Sequence, residues 1–347
     1  MNSRRDLLKM AAIGAAAVPV GAAPPVPRID CQSHLFSEEF LNLLEKRKES
    51  PYVYRKGKDR YVVIKEWTRR IMPKHTDLDA KIADMDRTGI AMAALSINDP
   101  GPEYFGKDSA AIAVMLNDFV ADSVRRKPGR FFGLATLPFN SPDAMLKEFD
   151  RATGKLGMKG ILLYSNLDGH FPDEEPFRPL FAEAERRGVP ILLHPAYPMT
   201  YEATKGYEMT AMLGLMFDTT IALSRLILSG VLDQHPNLKL VCPHVGGALP
   251  YLIGRMDHQT MVLKRGAEHI HRAPSEYLKR VWLDVVNPIG LSIGYARDFA
   301  GPDKLLFASD HPWVDPQIII DQVESQKFSS IERTRLYSQN ARELFRL

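Results

Sequence analysis

Eight short apolar runs recur along the chain, each separated from the next by a segment of helical character: 28–34, 90–97, 131–137, 160–164, 190–194, 238–244, 281–284 and 304–310. Near-continuous apolar runs are what strands buried on both faces require. Their alternation with helices predicts a parallel α/β sheet, and eight repeats predict closure into a (β/α)8 TIM barrel. The competing fold is a doubly wound open sheet, but no Gly-x-Gly-x-x-Gly fingerprint follows the first strand.

The helices between the runs are expected over 38–48 (capped by Ser37), 78–88, 109–127, 142–156 (capped by Ser141), 175–187, 210–232 and 249–264. A further helix separates the seventh and eighth strands. Asp315 and Pro316 open another, running to about 326, and the last covers 332–345. Residues 49–75 break the beat. There Tyr52–Arg55 and Tyr61–Ile64 flank Lys56-Gly57-Lys58-Asp59, which predicts a small hairpin inserted after strand 1 with a basic tip. It is either a lid over the barrel rim or a plain surface hairpin.

Three runs end in strong polar groups: Gln32-Ser33-His34, then His194, then Asp310. In a closed barrel such tips converge at the C-terminal mouth. Two imidazoles and a carboxylate make a plausible site for one divalent metal ion with open positions. The stretch Leu238–Asp257 adds a fourth group. Its strand ends at His244, turns through Gly246 and Gly247, and enters a helix at Pro250. A lone histidine before such a turn is ordinarily structural. Its company on the rim makes His244 a candidate acid or base, since it is not needed as a ligand.

These residues resemble a known family. Asp30-x-x-x-His34, Leu193-His194-Pro195-Ala196, His244-x-Gly246-Gly247-x-x-Pro250-x-x-x-x-Arg255-x-Asp257 and Leu306-x-x-Ser309-Asp310-x-Pro312 resemble the amidohydrolase superfamily. More narrowly they resemble the branch of aminocarboxymuconate semialdehyde decarboxylase and γ-resorcylate decarboxylase. Asp84-Met85-Asp86-x-x-Gly89-Ile90, Gly157–Ile161 and Leu226–Gly230 look like that branch too, and the resemblance covers residues 28–347. It implies His194 and Asp310 as metal ligands and His34 as the second histidine of a strand-one pair. It also implies His244 as the catalytic histidine, Arg255 as an arginine shaping the substrate site, and zinc or manganese as the ion. Gln32 departs from the pattern, because most members carry histidine there and some decarboxylases glutamate. A neutral amide oxygen is a weaker zinc ligand, which shifts the expectation toward manganese or magnesium. A two-metal site bridged by a carboxylated lysine is excluded, because Leu163-Tyr164-Ser165 supplies no lysine.

Several further residues are weighed for the site. Asn166 and His170, after the fourth strand, either touch substrate or belong to a polar loop. Asp284 either binds substrate or orients His244. Asp310 doubles as a catalytic carboxylate, and His311 and Trp313 flank it. His75, His235, His258, His269 and His271 are expected in solvent, and Met199, Met209, Met212 and Met216 in packing roles.

The N-terminus reads as a twin-arginine export signal. Arg4-Arg5 precedes a mild apolar stretch, Met10–Ala23, with cleavage expected after Ala22. That makes 1–22 a signal peptide and 23–347 a single barrel domain, periplasmic and without a membrane anchor. No other run is expected to cross a membrane. Loss of the signal lowers the formal charge from +3 to +1, so nucleic acid is not an expected partner. A small-molecule carboxylate is, and a homo-oligomer stays open. Cys31 and Cys242 are expected on different sides of different strands and therefore unpaired. The leading activity is non-oxidative decarboxylation of a small aromatic or unsaturated acid. Hydrolysis of an amide or lactone is the alternative, and a non-catalytic binding protein the third reading.

Overall fold

The computed structural model describes residues 26–347. The expected signal peptide therefore lies outside the described residues, apart from which the chain alternates strand and helix as its pattern requires. The barrel strands are β1 (Arg28–Asp30) and β2 (His34–Leu35), then β6 (Ile90–Ile97), β7 (Phe131–Ala135) and β8 (Gly160–Tyr164), after the inserted strands β3 (Tyr52–Lys56), β4 (Asp59–Ile64) and β5 (Trp67–Ile71). They are followed by β9 (Ile191–His194), β10 (Leu240–Cys242), β11 (Trp282–Asp284) and β12 (Leu305–Leu306). All barrel pairings are parallel. β1 and β2 both pair with β6, so they share one barrel position.

Closure runs through the first and last strands. Cys31 N–H donates to Phe307 O at 2.9 Å and Asp310 N–H to Gln32 O at 3.0 Å. The Asp30 carboxylate, fully inside, accepts from the Ser309 backbone at 3.0 Å. The segment after the last strand is thus stitched to the first strand at the level where the polar tips emerge. Every residue of β7 and β8 is buried, as expected of strands sandwiched between barrel interior and helices. Both cysteines are buried and free.

Most departures from the expected elements are terminal and have local causes. The helix expected over 210–232 is broken by Gly230, whose φ of +80° only glycine adopts without strain. With its leading turns, Gly206–Leu228 is long and apolar enough by composition to span a bilayer, contrary to expectation. Ala222, Leu223, Leu226 and Ile227 of this helix are buried in the protein's own core. The insertion is a three-stranded antiparallel meander rather than a hairpin. Its third strand, Trp-Thr-Arg-Arg-Ile, is too polar to announce itself by alternation.

The meander lies over the barrel mouth. Its Lys65-Glu66 turn is tied to the loops after β8 and β9. Tyr197 Oη donates to Glu66 at 2.7 Å, Tyr201 Oη donates to the Glu66 carbonyl at 3.0 Å, and Lys65 pairs with Asp168 at 2.9 Å. These contacts hold the meander's turn against the loops that follow β8 and β9.

Candidate metal centre and active site

Asp310 is the hub of the mouth. It sits just past β12 at φ +60°, a left-handed conformation that costs a non-glycine residue ~1–3 kcal/mol unless its surroundings over-determine it. They do. The His311 backbone N–H donates to Ser309 Oγ at 3.1 Å, and His34 N–H donates to His311 O at 2.8 Å.

Three histidines face the Asp310 carboxylate. His34 Nε2 is 3.1 Å from Oδ1, His194 Nε2 is 3.9 Å from Oδ1, and His244 Nε2 is 3.7 Å from Oδ2. The ligand atoms of His34, His194 and Asp310 lie within 4.8 Å of one another. Burial tends to raise the Asp310 carboxyl, but the three rings outweigh it and hold the group well below the usual carboxylate range.

Hydrogen bonding sets the tautomers. His194 Nδ1 lies 2.7 Å from the Pro195 carbonyl, which only accepts, so Nδ1 carries the proton and Nε2 keeps its lone pair. That Nε2 is buried and has no partner. His34 Nδ1 lies 2.9 Å from Ser96 Oγ, and its Nε2 lies within hydrogen-bond distance of Asp310 Oδ1 at 3.1 Å. Burial, then the neighbouring His194, lowers the His34 pKa to about 4, so the ring is neutral at physiological pH. Gln32 donates its Nε2 to Asp310 Oδ1 at 3.0 Å, and its Oε1 is buried without a partner. Two imidazoles that turn Nε2 toward one carboxylate oxygen, that carboxylate and an orphaned amide oxygen fit a divalent zinc or manganese ion.

His244 follows β10 at φ +54°, and Val245 shares the left-handed conformation at +60°. Its backbone N–H donates to Asp284 Oδ1 at 2.7 Å. Burial disfavours its charged form, yet the Asp310 and Asp284 carboxylates prevail and raise its pKa. Asp284 is fully buried at the end of β11, and burial lifts its pKa to about 6. Of the two roles weighed for Asp284, these bonds fit the positioning of His244.

Three other expected site residues stand apart. Asn166 is spent on its own loop, since its amide donates to Tyr197 O at 2.9 Å and to Asp218 at 2.7 Å and accepts from Gly169 N at 3.2 Å. Both amide hydrogens are thus committed within the protein. His170 is exposed and pairs with Glu174 at 2.9 Å. Arg255 is exposed on the helix Leu249–Asp257, bordering an outer groove with Thr220 and Leu252. That helix runs away from the turn, and six residues at ~1.5 Å each carry Arg255 roughly 9 Å along it.

Residues that sequence reasoning passed over complete the centre. Lys81 is buried, with Nζ 2.7 Å from His311 Nδ1 and 3.2 Å from His311 O. His311 Nε2 lies 3.0 Å from Asp84, which also pairs with Lys74 and with Arg87 at 2.9 Å. Burial pushes the Lys81 ammonium down and the facing Asp30 carboxyl up. The signal was available, because Leu78, Lys81 and Met85 share one helical face. His75, expected in solvent, is fully buried, with its ring centroid 4.3 Å from that of Trp313. Arg69, from the third lid strand, lies over Trp67 at 4.4 Å and reaches Trp313 at 5.5 Å.

Comparison with known proteins agrees with this geometry. The amidohydrolase family model matches residues 29–347. The 2-amino-3-carboxymuconate-6-semialdehyde decarboxylase of Dictyostelium discoideum is 27% identical over 92% of this chain and 92% of its own length. A γ-resorcylate decarboxylase of Rhizobium radiobacter is 30% identical over 78% of this chain and 87% of its own. Among solved structures, the 5-carboxyvanillate decarboxylase of Novosphingobium aromaticivorans, complexed with manganese and 4-hydroxy-3-methoxy-5-nitrobenzoic acid, superposes with a TM-score of 0.80. It is 25% identical and the match covers 93% of this chain and 97% of that one.

Proposed function

The chain belongs to the amidohydrolase family, and from that premise we propose that it is a metal-dependent carboxy-lyase removing CO2 from a small aromatic or unsaturated carboxylic acid without oxidation. The observation that carries the reading is the division of labour around Asp310. His34 and His194 turn their Nε2 atoms to Oδ1, while His244 stands at Oδ2 with a raised pKa. A bound zinc or manganese ion supplies a Lewis acid that anchors and polarises the substrate's oxygens. Gln32, contributing a neutral amide, favours manganese over zinc. His244 holds a proton where it can pass to the carbon that bears the carboxylate. The bond from that carbon to the carboxylate then breaks, its electron pair returns to the ring or alkene, and CO2 leaves. Asp284 fixes the backbone of His244 during the transfer. The lid, with Trp67 and Arg69 above Trp313, keeps water from the mouth.

The test is metal analysis of the purified protein followed by CO2 release from a panel of benzoates and muconates. A protein that binds a divalent ion but opens lactones or amides and releases no CO2 sinks the decarboxylase reading.

We further propose that the enzyme is exported by the twin-arginine route and works in the periplasm. The support is Arg4-Arg5 ahead of Met10–Ala23. Replacing both arginines with lysine is expected to retain the protein in the cytoplasm, and normal export of that variant refutes the proposal.

A further inference from the structure

One wall of the mouth is lined by polar groups the protein leaves unmatched. Asn98 follows β6. Ser96, two residues earlier, holds the ring of His34 at 2.9 Å, so strand alternation places Asn98 on the same inward face, one step nearer the opening. Asn98 is 1% exposed, and both its amide oxygen and its amide nitrogen lack a partner. Beside it, Asp99 Oδ2, Glu103 Oε2, Tyr104 Oη and Arg69 Nε are also buried and unpartnered. A buried polar group without a partner costs ~1–3 kcal/mol. Several gathered on the loop after β6 and on the meander strand that pairs with it through Arg69, near the metal centre, mark a surface completed by a guest.

The charge of that wall specifies the guest. Arg69 is already neutralised by Asp99 at 2.8 Å. Burial raises the Glu103 carboxyl to about 8, which makes it an uncharged donor at neutral pH. Asn98 is neutral and offers both a donor and an acceptor. A second carboxylate on the substrate would find no uncompensated cation here, whereas a hydroxyl would find both kinds of partner. We propose that Asn98, with Glu103, forms a subsite for an uncharged polar substituent, such as a phenolic hydroxyl, on the ring of a monocarboxylic acid. The proposal rests on the decarboxylase reading only for where the carboxylate end lies.

The test compares manganese-loaded wild type with Asn98→Leu, a near-isosteric change that removes both hydrogen-bonding atoms. Dissociation constants are measured calorimetrically for benzoate, for 2-, 3- and 4-hydroxybenzoate and for isophthalate, with CO2 release followed in parallel. In wild type, at least one hydroxybenzoate is expected to bind ~10-fold or more tightly than benzoate, and isophthalate no better than benzoate. In Asn98→Leu that preference is expected to fall below ~2-fold, with benzoate affinity and bound manganese unchanged. A preference that survives in Asn98→Leu overturns the proposal, as does tighter binding of isophthalate than of every hydroxybenzoate. If the leucine variant does not fold, Asn98→Ala takes its place, with the same expected loss of preference and the same overturning results. CO2 release with an unaltered preference removes the subsite and leaves decarboxylation standing. An Asn98-dependent preference with no CO2 from any acid does the reverse, and binding of none of the acids overturns both.

Discussion

The backbone N–H of His244 donates to Asp284 Oδ1 at 2.7 Å, which ties the residue at the end of one strand to the buried carboxylate of the next. His244 and Val245 both hold left-handed backbone, and the same Asp284 oxygen also accepts from Val286 N at 3.0 Å. One carboxylate oxygen thus fixes two strand ends. Asp284→Ala removes the acceptor and frees His244 to relax. Turnover is expected to fall ~10–100-fold, as for other residues that orient a site from behind. Asp284→Asn keeps an acceptor oxygen and should retain most activity. Steady-state kinetics on both variants is the check, and equal losses in the two would mean that the charge of Asp284, not its geometry, matters.

The barrel was legible because its signal is local and repeated. Ile90–Ile97 and Gly160–Tyr164 have the boundaries their apolar runs predict, and His194 ends β9, while His34 opens the short β2 and Asp310 follows β12, which stops at Leu306. What the sequence concealed depends on distant partners. Asn166 looked available until Asp218, 52 residues on, is seen to take its amide. Lys81 lies on a buried helical face whose purpose appears only when His311, 230 residues away, meets it. Arg255 follows its turn at the expected spacing, yet nothing local indicates that its side chain is exposed along a groove with Thr220 and Leu252. The third lid strand was hidden by its own polarity, since Thr68, Arg69 and Arg70 break the apolar alternation by which a strand is recognised.

Stability should fall as the medium becomes acidic. His75 accepts from Met72 N–H at 3.0 Å through Nδ1, and burial lowers its pKa from 6.5 to about 3. The unfolded chain therefore takes up this proton first as pH drops, and stability present above pH 6.5 is lost progressively down to about pH 3. At pH 5 the loss from this one residue is about 2 kcal/mol. His34 and His311, each lowered to about 4, act in the same direction. His75→Phe should flatten the acid limb without abolishing it. Urea titrations at several pH values decide, and an unchanged slope would show that His75 is already charged in the folded protein.

Lys81 braces Asp310 from behind. Its ammonium holds the carbonyl and ring of His311, the residue after Asp310, and faces the buried Asp30 carboxylate. Lys81→Met leaves Asp30 without its cation, and breaking a buried pair in this way costs ~3–5 kcal/mol. Metal affinity should weaken ~10-fold or more as Asp310 loosens. Thermal melts of the metal-free protein and a manganese titration separate the two effects. A variant that melts lower but binds manganese as tightly as wild type would confine Lys81 to the fold.

Gln32→His should tighten zinc binding. The present amide gives its nitrogen to Asp310 at 3.0 Å and leaves its oxygen unpartnered, so it is at best a neutral oxygen donor. Imidazole is the stronger zinc ligand. A gain of tenfold corresponds to ~1.4 kcal/mol, and one to two such steps are expected. Competition against a zinc-responsive chelator measures it, and an unchanged dissociation constant means the residue does not face the metal.

His194 and His244 make opposite predictions from similar positions. Both stand within 4 Å of Asp310, on adjacent strands, with ring centroids 6.2 Å apart. His194 has its Nδ1 proton fixed by Pro195 O and its Nε2 lone pair unused, the state a metal ligand needs. His244 faces the other oxygen of Asp310, and the two carboxylates raise its pKa, the state a proton donor needs. His194→Ala should therefore lose bound metal and activity together. His244→Ala should keep the fold and most of the metal but lose ~10²–10⁴-fold in turnover, the usual range for a general acid or base. Because a metal ligand and a proton carrier both abolish activity when removed, turnover alone cannot tell them apart. Metal content measured on the same samples can. If His244→Ala is purified without metal while His194→Ala retains it, the two roles are exchanged. If His244→Ala turns over at the wild-type rate, its left-handed turn serves the fold alone and the proton must come from elsewhere.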